Sequence, residues 1–368
     1  MQKWTKRLLP VLLAGLLLFG SAALLPAGAA GETETGSIHI LNTGWEDAIV
    51  LESAGHYALI DAGEPGRGPY IVDYLQRLAG SDAVHLDFII GTHSHIDHMG
   101  GFQYILGHPA VTVGKAYAKR EAAPGSRYYQ EFAAGCEARG IALALDGLDL
   151  LALSLGNMKI TLLNGAPLAG GTTNPESLCQ LVEIDGYKAL LAGDMVSEEK
   201  ELGVYSQIGG TVDFLKVGHH GMGDSTGRAF ARNLRPLAAV YTNGSSWEAD
   251  SNDVTLGVRK GLSGYNNLKS VGTTQYVTTD NGGVMVVFDE IGMGLRAIRE
   301  FTQKGEALIY ETRAETVLRP VAEPSMTFFE RVGAFLQDLY DCVRDWIVLR
   351  ISELCACWRS IAPCHEKG

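Results

Sequence analysis

Basic charge, cysteine and long apolar runs are all scarce in this sequence, and each shortage removes a class of function. The 368 residues carry 30 Lys and Arg against 42 Asp and Glu. Without Lys3, Lys6 and Arg7 at the N-terminus the balance is 27 to 42, a net charge of about −15. No Lys/Arg-rich run and no basic helix face occurs between 37 and 289, so tight processive binding to long nucleic acid is not signalled. The six cysteines supply no zinc framework. Cys136 and Cys179 are isolated and expected as free or buried thiols, while Cys342, Cys355, Cys357 and Cys364 crowd the tail at spacings that match no recognised zinc pattern.

Only one apolar stretch is long. It covers 8–25, follows the three leader cations and precedes Ala27-Gly28-Ala29, the pattern of a secretory signal peptide over 1–30. A secreted or cell-envelope location follows. Because the run is near the length that spans a bilayer, an uncleaved membrane anchor is the alternative. No cysteine stands at the small-residue site, which argues against a lipoprotein.

What is present is concentrated. The string Thr-His-Ser-His-Ile-Asp-His-Met-Gly-Gly over 92–101 places His93, His95, Asp97 and His98 within six positions, directly after the apolar run 86–90. Extended backbone at a strand end sends residues i and i+2 to one side, so His93 and His95 can converge on one cation while Asp97 and His98 reach a second. Imidazoles with one carboxylate suit zinc or a similar borderline metal, whereas calcium would want mainly oxygen ligands.

This string resembles the signature of the metallo-β-lactamase-fold hydrolases. Further segments, in the same order, are similar to their ComEC-like (competence protein C-terminal domain) subgroup: 38–63 ending in Asp61-Ala62-Gly63, then Asn174-Pro175-Glu176-Ser177-Leu178, Leu190-Leu191-Ala192-Gly193-Asp194, and 213–221 ending in His219-His220-Gly221. The resemblance implies an α/β fold, an αββα sandwich of the metallo-β-lactamase type, as one catalytic domain over 37–289. Hydrophobic residues make up 46% of the chain, enough for a core of that size.

The resemblance also implies a site. Asp194 is expected to bridge two divalent ions, zinc by default with manganese or iron as alternatives, and His93, His95, Asp97 and His98 to complete most of the shell. One of His219 and His220 closes the second site and the other lines the substrate pocket. Both lie beyond a strand end, so alternation does not choose between them; His219 is favoured as ligand, with His220 and Asp97 as catalytic groups. Asp61, Asn174, Ser177 and Lys216 are expected behind the ligands or against substrate, Asp61 by fixing the tautomer of a ligand histidine.

Two departures qualify the pattern. Many superfamily members place a further histidine between the first loop and the bridging aspartate, but here the only one is His108, close to the first loop. The first site is left with His93, His95 and Asp194, weakly closed unless Asn174 or Asn164 lends an amide oxygen. The usual Val-Gly-Gln-Gly-Asp turn is Thr43-Gly44-Trp45-Glu46-Asp47, and a His-Pro pair expected after 238–242 is replaced by Gly244-Ser245-Ser246-Trp247.

Together these features predict a secreted hydrolase using a metal-bound hydroxide on phosphodiesters, as a phosphodiesterase or nuclease-type enzyme. Two cations roughly 3.5–4 Å apart lower the pKa of a bound water toward about 7. The alternatives are hydrolysis of carboxylic esters, thioesters or lactams by the same centre, and a metal-bound recognition module without catalysis. The expected partner is a small or surface-bound anionic substrate.

Strands are predicted over 37–41, 48–51, 58–61, 86–90, 159–163, 178–184, 189–192 and 214–217, and helices from Pro69 and over 126–137. Beyond the domain come an extension or linker over 290–325 and a C-terminal amphipathic helix over 326–358, with Phe328, Val332, Phe335, Leu339, Trp346 and Ile347 at helical spacing. Its mixed polar face favours docking on the domain over attachment to a membrane surface or self-association.

Overall fold

A computed structural model describes residues 35–121, 125–167, 174–222, 225–243, 264–278, 282–289 and 292–298. The expected signal peptide, the amphipathic helix over 326–358 and the segment after 243 that replaces the His-Pro pair lie outside them.

Two sheets stack face to face. The first takes β1 (Gly36–Leu41), β2 (Ile49–Ser53), β3 (His56–Ile60), β4 (Val84–Gly91), β5 (Val111–Ala118) and β6 (Ala142–Ala144), and is extended beyond β1 by β14 (Gly283–Asp289) and β15 (Gly292–Ala297), in the order β15-β14-β1-β2-β3-β4-β5-β6. The second is ordered β13-β12-β11-β10-β9-β8-β7, from β7 (Ala152–Leu155), β8 (Met158–Leu163), β9 (Cys179–Ile184), β10 (Tyr187–Leu191), β11 (Phe214–Lys216), β12 (Ala238–Tyr241) and β13 (Thr274–Val277). β15 pairs antiparallel with β14 from Ala297↔Val284 to Gly292↔Asp289. The first sheet therefore runs past the expected boundary at 289, into the expected extension.

Alternation along the strands sorts side chains between layers. Ile38, Ile40, Ile49, Leu51, Ile60 and Ile90 of the first sheet meet Ile160, Val182, Ile184, Leu191, Phe214 and Val240 of the second in the central core. The opposite face of the first sheet, with Leu59, Leu86 and Ile89, is covered by α1 (Gly68–Ala79) and, after the short α2 (Ile96–Met99), by α3 (Phe102–Gly107) and α4 (Arg127–Ala138). The outer face of the second sheet buries Leu190, Leu215 and Ala239 against α5 (Glu198–Ile208), α6 (Arg228–Leu234) and α7 (Gly264–Ser270). This is the αββα sandwich.

The local chemistry of the helices is readable. Pro69 opens α1, and Gly80 closes it in the left-handed conformation at φ 60°, its N–H bonding back to Arg77. Ser126 caps α4 by accepting from the Tyr129 N–H, and Phe132 and Cys136 form its buried stripe. Cys136 and Cys179 are both buried free thiols, and burial pushes the Cys179 thiol up to about 12.

Topology sets the site's place. β3, β4, β5 and β6 run parallel, as do β10, β11, β12 and β13. Asp61, the 92–98 loop and Lys119 follow the C-terminal ends of β3, β4 and β5; Asp194, His219-His220 and Thr242 follow those of β10, β11 and β12. Both parallel blocks deliver their chemistry at strand ends, the usual place for a site in α/β sheets. Among the described residues no helix is long and apolar enough to cross a membrane.

Candidate metal centre

The 92–98 loop leaves β4 and turns at once into α2. Close approach makes the turn possible: a Cβ on Gly101 would lie 2.0 Å from the Ala62 carbonyl oxygen, and one on Gly100 2.5 Å from the Ile96 carbonyl. The Ala62 N–H bonds the His98 carbonyl at 2.7 Å, tying the loop to the end of β3. His93 and His98 are buried, His95 is exposed, and the His93 ring lies 4.5 Å from that of His95 and 4.2 Å from that of His98, centroid to centroid.

Three groups of side chains place ligand-type atoms within 4.8 Å of one another. One is Asp97, His98, Asp194 and His220; another is His93, His95 and Asp194; the last is Asp47, Asp61 and His98. Asp194 belongs to the first two, the position expected of a bridging carboxylate. Its loop is fixed by Ser177, whose Oγ accepts the Asp194 N–H at 3.0 Å and lies 3.4 Å from His93 Nδ1.

The third group surrounds the other two rather than forming a site of its own. Asp61 accepts the Thr92 N–H at 2.8 Å and the Thr92 hydroxyl at 2.7 Å, and faces His98 Nδ1 at 2.7 Å. That bond occupies Nδ1 and turns Nε2 of His98 toward Asp194, 3.1 Å away. Asp47 is paired with the buried Lys216, whose ammonium also donates to the Gly193 carbonyl at 3.0 Å. Asp47 further accepts from the Thr242 hydroxyl at 2.6 Å, and Thr242 meets His220 Nδ1 at 2.9 Å. His220 Nε2 then stands 3.3 Å from Asp97 and 3.4 Å from Asp194.

The histidine pair reverses the expected order. His220, not His219, joins the Asp97–His98–Asp194 group; His219 belongs to none of the three and instead meets the Asn174 amide nitrogen at 2.8 Å through Nε2. The reason is backbone conformation. His219 and His220 both adopt left-handed geometry, at φ 46° and 53°, in a tight turn after β11, so strand alternation has already ended. Gly221 at φ 86° closes that turn against the Tyr241 ring.

Sequence reasoning also left several residues without a role. Thr92, Thr242 and Asp47 hold the groups behind the candidate ligands; Asp47 lies 169 positions from its partner Lys216. Its retention in the altered 43–47 turn was the available signal. The Asn164 amide nitrogen donates to the Pro175 and Ser177 carbonyls at 3.0 and 2.9 Å, clamping the 174–177 turn. Lys119 braces the same turn through the Asn164 carbonyl at 2.8 Å and Glu176 at 3.2 Å.

The electrostatics are those of a site built for cations. Burial disfavours charge on Asp194, but His220 and His98 outweigh it and hold the carboxyl well below the usual range. Asp97 resists burial in the same way and is held down at about 2, chiefly by its bond to His220. Burial and then the charge on His98 push His93 well below the ordinary imidazole value, leaving it neutral. Most telling, the buried atoms His93 Nε2, His98 Nε2 and Asp194 Oδ1 have no hydrogen-bond partner. Buried polar atoms are rarely left so, and these three converge on one place, as a His/carboxylate donor set for divalent metal would.

A family model for the metallo-beta-lactamase superfamily matches residues 46–241. The chain belongs to the metallo-β-lactamase superfamily. Within that superfamily it is similar to Recombination protein 2 of Haemophilus influenzae, 30% identical over 217 residues that cover 57% of this chain and 24% of the relative, and to ComE operon protein 3 of Bacillus subtilis, 28% identical over 167 residues, 44% and 20%. The chain thus spans between a fifth and a quarter of the length of these curated relatives, which are of the ComEC-like kind its motifs resemble. Similar solved structures include the metallo-β-lactamase fold protein YhfI of Bacillus subtilis, with TM-score 0.45, 14% identity and coverage of 66% of this chain and 96% of that one. Another is CmlA, a diiron β-hydroxylase from Streptomyces venezuelae, with TM-score 0.43, 14% identity and coverage of 66% and 52%.

Proposed function

We propose that this superfamily member is an exported, divalent-metal-dependent hydrolase of phosphodiesters acting on small or surface-bound anionic substrates. The observation that carries the reading is the convergence of the unpartnered His93, His98 and Asp194 atoms. His93, His95 and Asp194 would hold one ion, and Asp97, His98, Asp194 and His220 the other. Zinc is the default, with manganese or iron suited to the same donors. A bound pair would polarise substrate oxygens and lower the pKa of a bound water toward about 7.

The chain's own residues prepare that chemistry. Asp61 and Thr242 occupy the Nδ1 atoms of His98 and His220, so that each presents Nε2 inward in a fixed ring orientation. Lys216 neutralises Asp47 and keeps a second buried carboxylate from competing for the ions. His219, half-buried, outside the three ligand groups and held by Asn174 through Nε2, would stand beside the ions as the histidine nearest the leaving group. Trp45, its ring edge-on to His220 with centroids 6.1 Å apart, walls the second site with an apolar surface.

Phosphodiesters rank above acyl substrates because the downstream motifs and the two curated relatives, named for recombination and for a ComE operon, lie on the ComEC-like side of the superfamily. Export rests on the leader over 1–30. The segment over 326–358 would dock on the domain, with membrane-surface attachment or self-association as its alternative role; unchanged solubility and solution mass after deletion of 326–368 would remove the association idea.

The test is hydrolysis of bis-para-nitrophenyl phosphate by residues 31–368 beside His93→Ala and Asp194→Ala. Activity lost on chelation and in both variants is expected. Turnover of acyl substrates alone would replace the phosphodiester reading. An Asp97→Ala variant with undiminished biological effect would favour a non-catalytic recognition module.

A further inference from the structure

The first candidate site is short of protein ligands. Among the described residues His93, His95 and Asp194 are its only His or carboxylate donors, and His95 is exposed. No histidine stands between His108 and Asp194 to close it. We infer that the Asn174 side-chain amide is the missing donor, its oxygen facing the first ion while its nitrogen is held by His219; this rests on the metal-centre reading above.

Three observations converge on Asn174. Its Oδ1 is buried and has no hydrogen-bond partner, a property it shares with His93 Nε2, His98 Nε2 and Asp194 Oδ1. An amide oxygen left without a donor in a protein interior costs free energy unless something accepts its lone pairs, and a cation does so. Next, the turn that carries Asn174 lies against the first site. Ser177, whose N–H bonds the Asn174 carbonyl at 3.1 Å, touches His93 Nδ1 and receives the Asp194 N–H. On the other flank, His219 contacts Asn174 Nδ2 through its ring, and its N–H bonds the Gly193 carbonyl at 3.1 Å, next to Asp194. Asn174 is therefore bracketed by His93, Asp194 and His219.

Lastly, the turn is held as a ligand-bearing turn needs to be. Asn164 donates twice into it, and Lys119, itself buried, secures Asn164 and Glu176. Amide orientation is fixed by partners. With the oxygen toward a cation, the NH2 donates to His219 Nε2, which makes that nitrogen an acceptor and puts the ring proton on Nδ1.

The experiment is zinc binding to wild type, Asn174→Leu and Asn174→Asp, read by metal per chain after dialysis and by the visible spectrum of the cobalt-loaded proteins, with thermal melting as the folding control. Leucine keeps the branched shape and removes the oxygen; aspartate keeps an oxygen and adds charge. The expected result is two zinc ions in wild type, first-site affinity lowered at least about 10-fold in Asn174→Leu, tighter first-site binding in Asn174→Asp, and a changed cobalt spectrum in both. Wild-type stoichiometry, affinity and spectrum in Asn174→Leu would overturn the inference and leave the metal centre standing. If the leucine variant does not fold, unchanged first-site binding in Asn174→Asp overturns it equally. A wild-type protein that takes up no zinc or cobalt would overturn the metal centre itself, and this inference with it.

Discussion

Lys216→Met leaves a buried carboxylate without its cation, and the consequence can be worked from the site. Lys216 is fully buried and Asp47 1% exposed. Burial alone would push the Asp47 carboxyl up, but the Lys216 ammonium, helped by His220 and His98, holds it well below the usual range, so it is charged in the native state. Removing one partner of such a pair costs about 3–5 kcal/mol, because the remaining charge stays desolvated. The Thr242 hydroxyl and the His220 ring, 3.4 Å from Asp47, still face the carboxylate and place the expected loss at the lower end. At roughly 2–4 °C per kcal/mol for a domain of this size, the melting temperature should fall by about 6–12 °C. The lost Gly193 contact also loosens the loop that carries Asp194, so zinc affinity falls with stability. Asp47→Asn on top of Lys216→Met removes the stranded charge, keeps an oxygen for Thr242, and should recover at least about 1 kcal/mol. The assay is melting of the two single variants and the double variant with and without zinc. A Lys216→Met protein that melts within about 2 °C of wild type, or a double variant less stable than Lys216→Met, would refute the reasoning.

Other outcomes follow from the same physics. His39, wholly buried between Ser37 Oγ and the Tyr74 hydroxyl at 2.7 Å each, is pushed by burial from 6.5 to about 3, so it folds neutral. Its folded value lies below its unfolded one, so stability is full above about pH 6.5 and is lost as pH falls toward 3, by about 5 kcal/mol in total. In chelator-treated protein, denaturant titrations of His39→Gln should show a flatter acid slope than wild type, and identical slopes would contradict this. His98 and His220 are charged in the metal-free protein, since Asp194 above all outweighs the burial that opposes their charge. Zinc uptake at pH 7 should release about two protons, measured by calorimetry in buffers of different ionisation heat, and a heat independent of buffer would contradict it. Gly101→Ala should destabilise by about 1–3 kcal/mol or more and reduce bound metal, because its Cβ meets the Ala62 carbonyl. Gly107→Ala, with nothing within 4 Å, should be silent in the same melts.

The parts of this molecule that local chemistry decides were legible in its sequence. The 92–98 loop declared itself because four donor residues fall within six positions, and Asp194 because its segment follows that loop in the order of the resembled family. Helix α1 followed from Pro69 and its apolar spacing. What stayed hidden depends on tertiary placement. The choice between His219 and His220 turns on two left-handed residues that no alternation pattern encodes. Asp47 and Lys216 meet only when the two sheets stack, and β15 joins the first sheet by pairing with β14 from a stretch with weak strand signals. The clamp that Asn164 places on the 174–177 turn was hidden as well, because an amide near a site reads the same in sequence whether it ligates or braces a turn.

The most direct test of the account is the metal content of purified wild-type protein and of Asp194→Ala, measured by elemental analysis after equilibration with limiting zinc. Two ions per chain in wild type, with both sites weakened in Asp194→Ala, is the predicted result, since that carboxylate is shared by both groups. Equal zinc in the two proteins, or none in wild type, would contradict it.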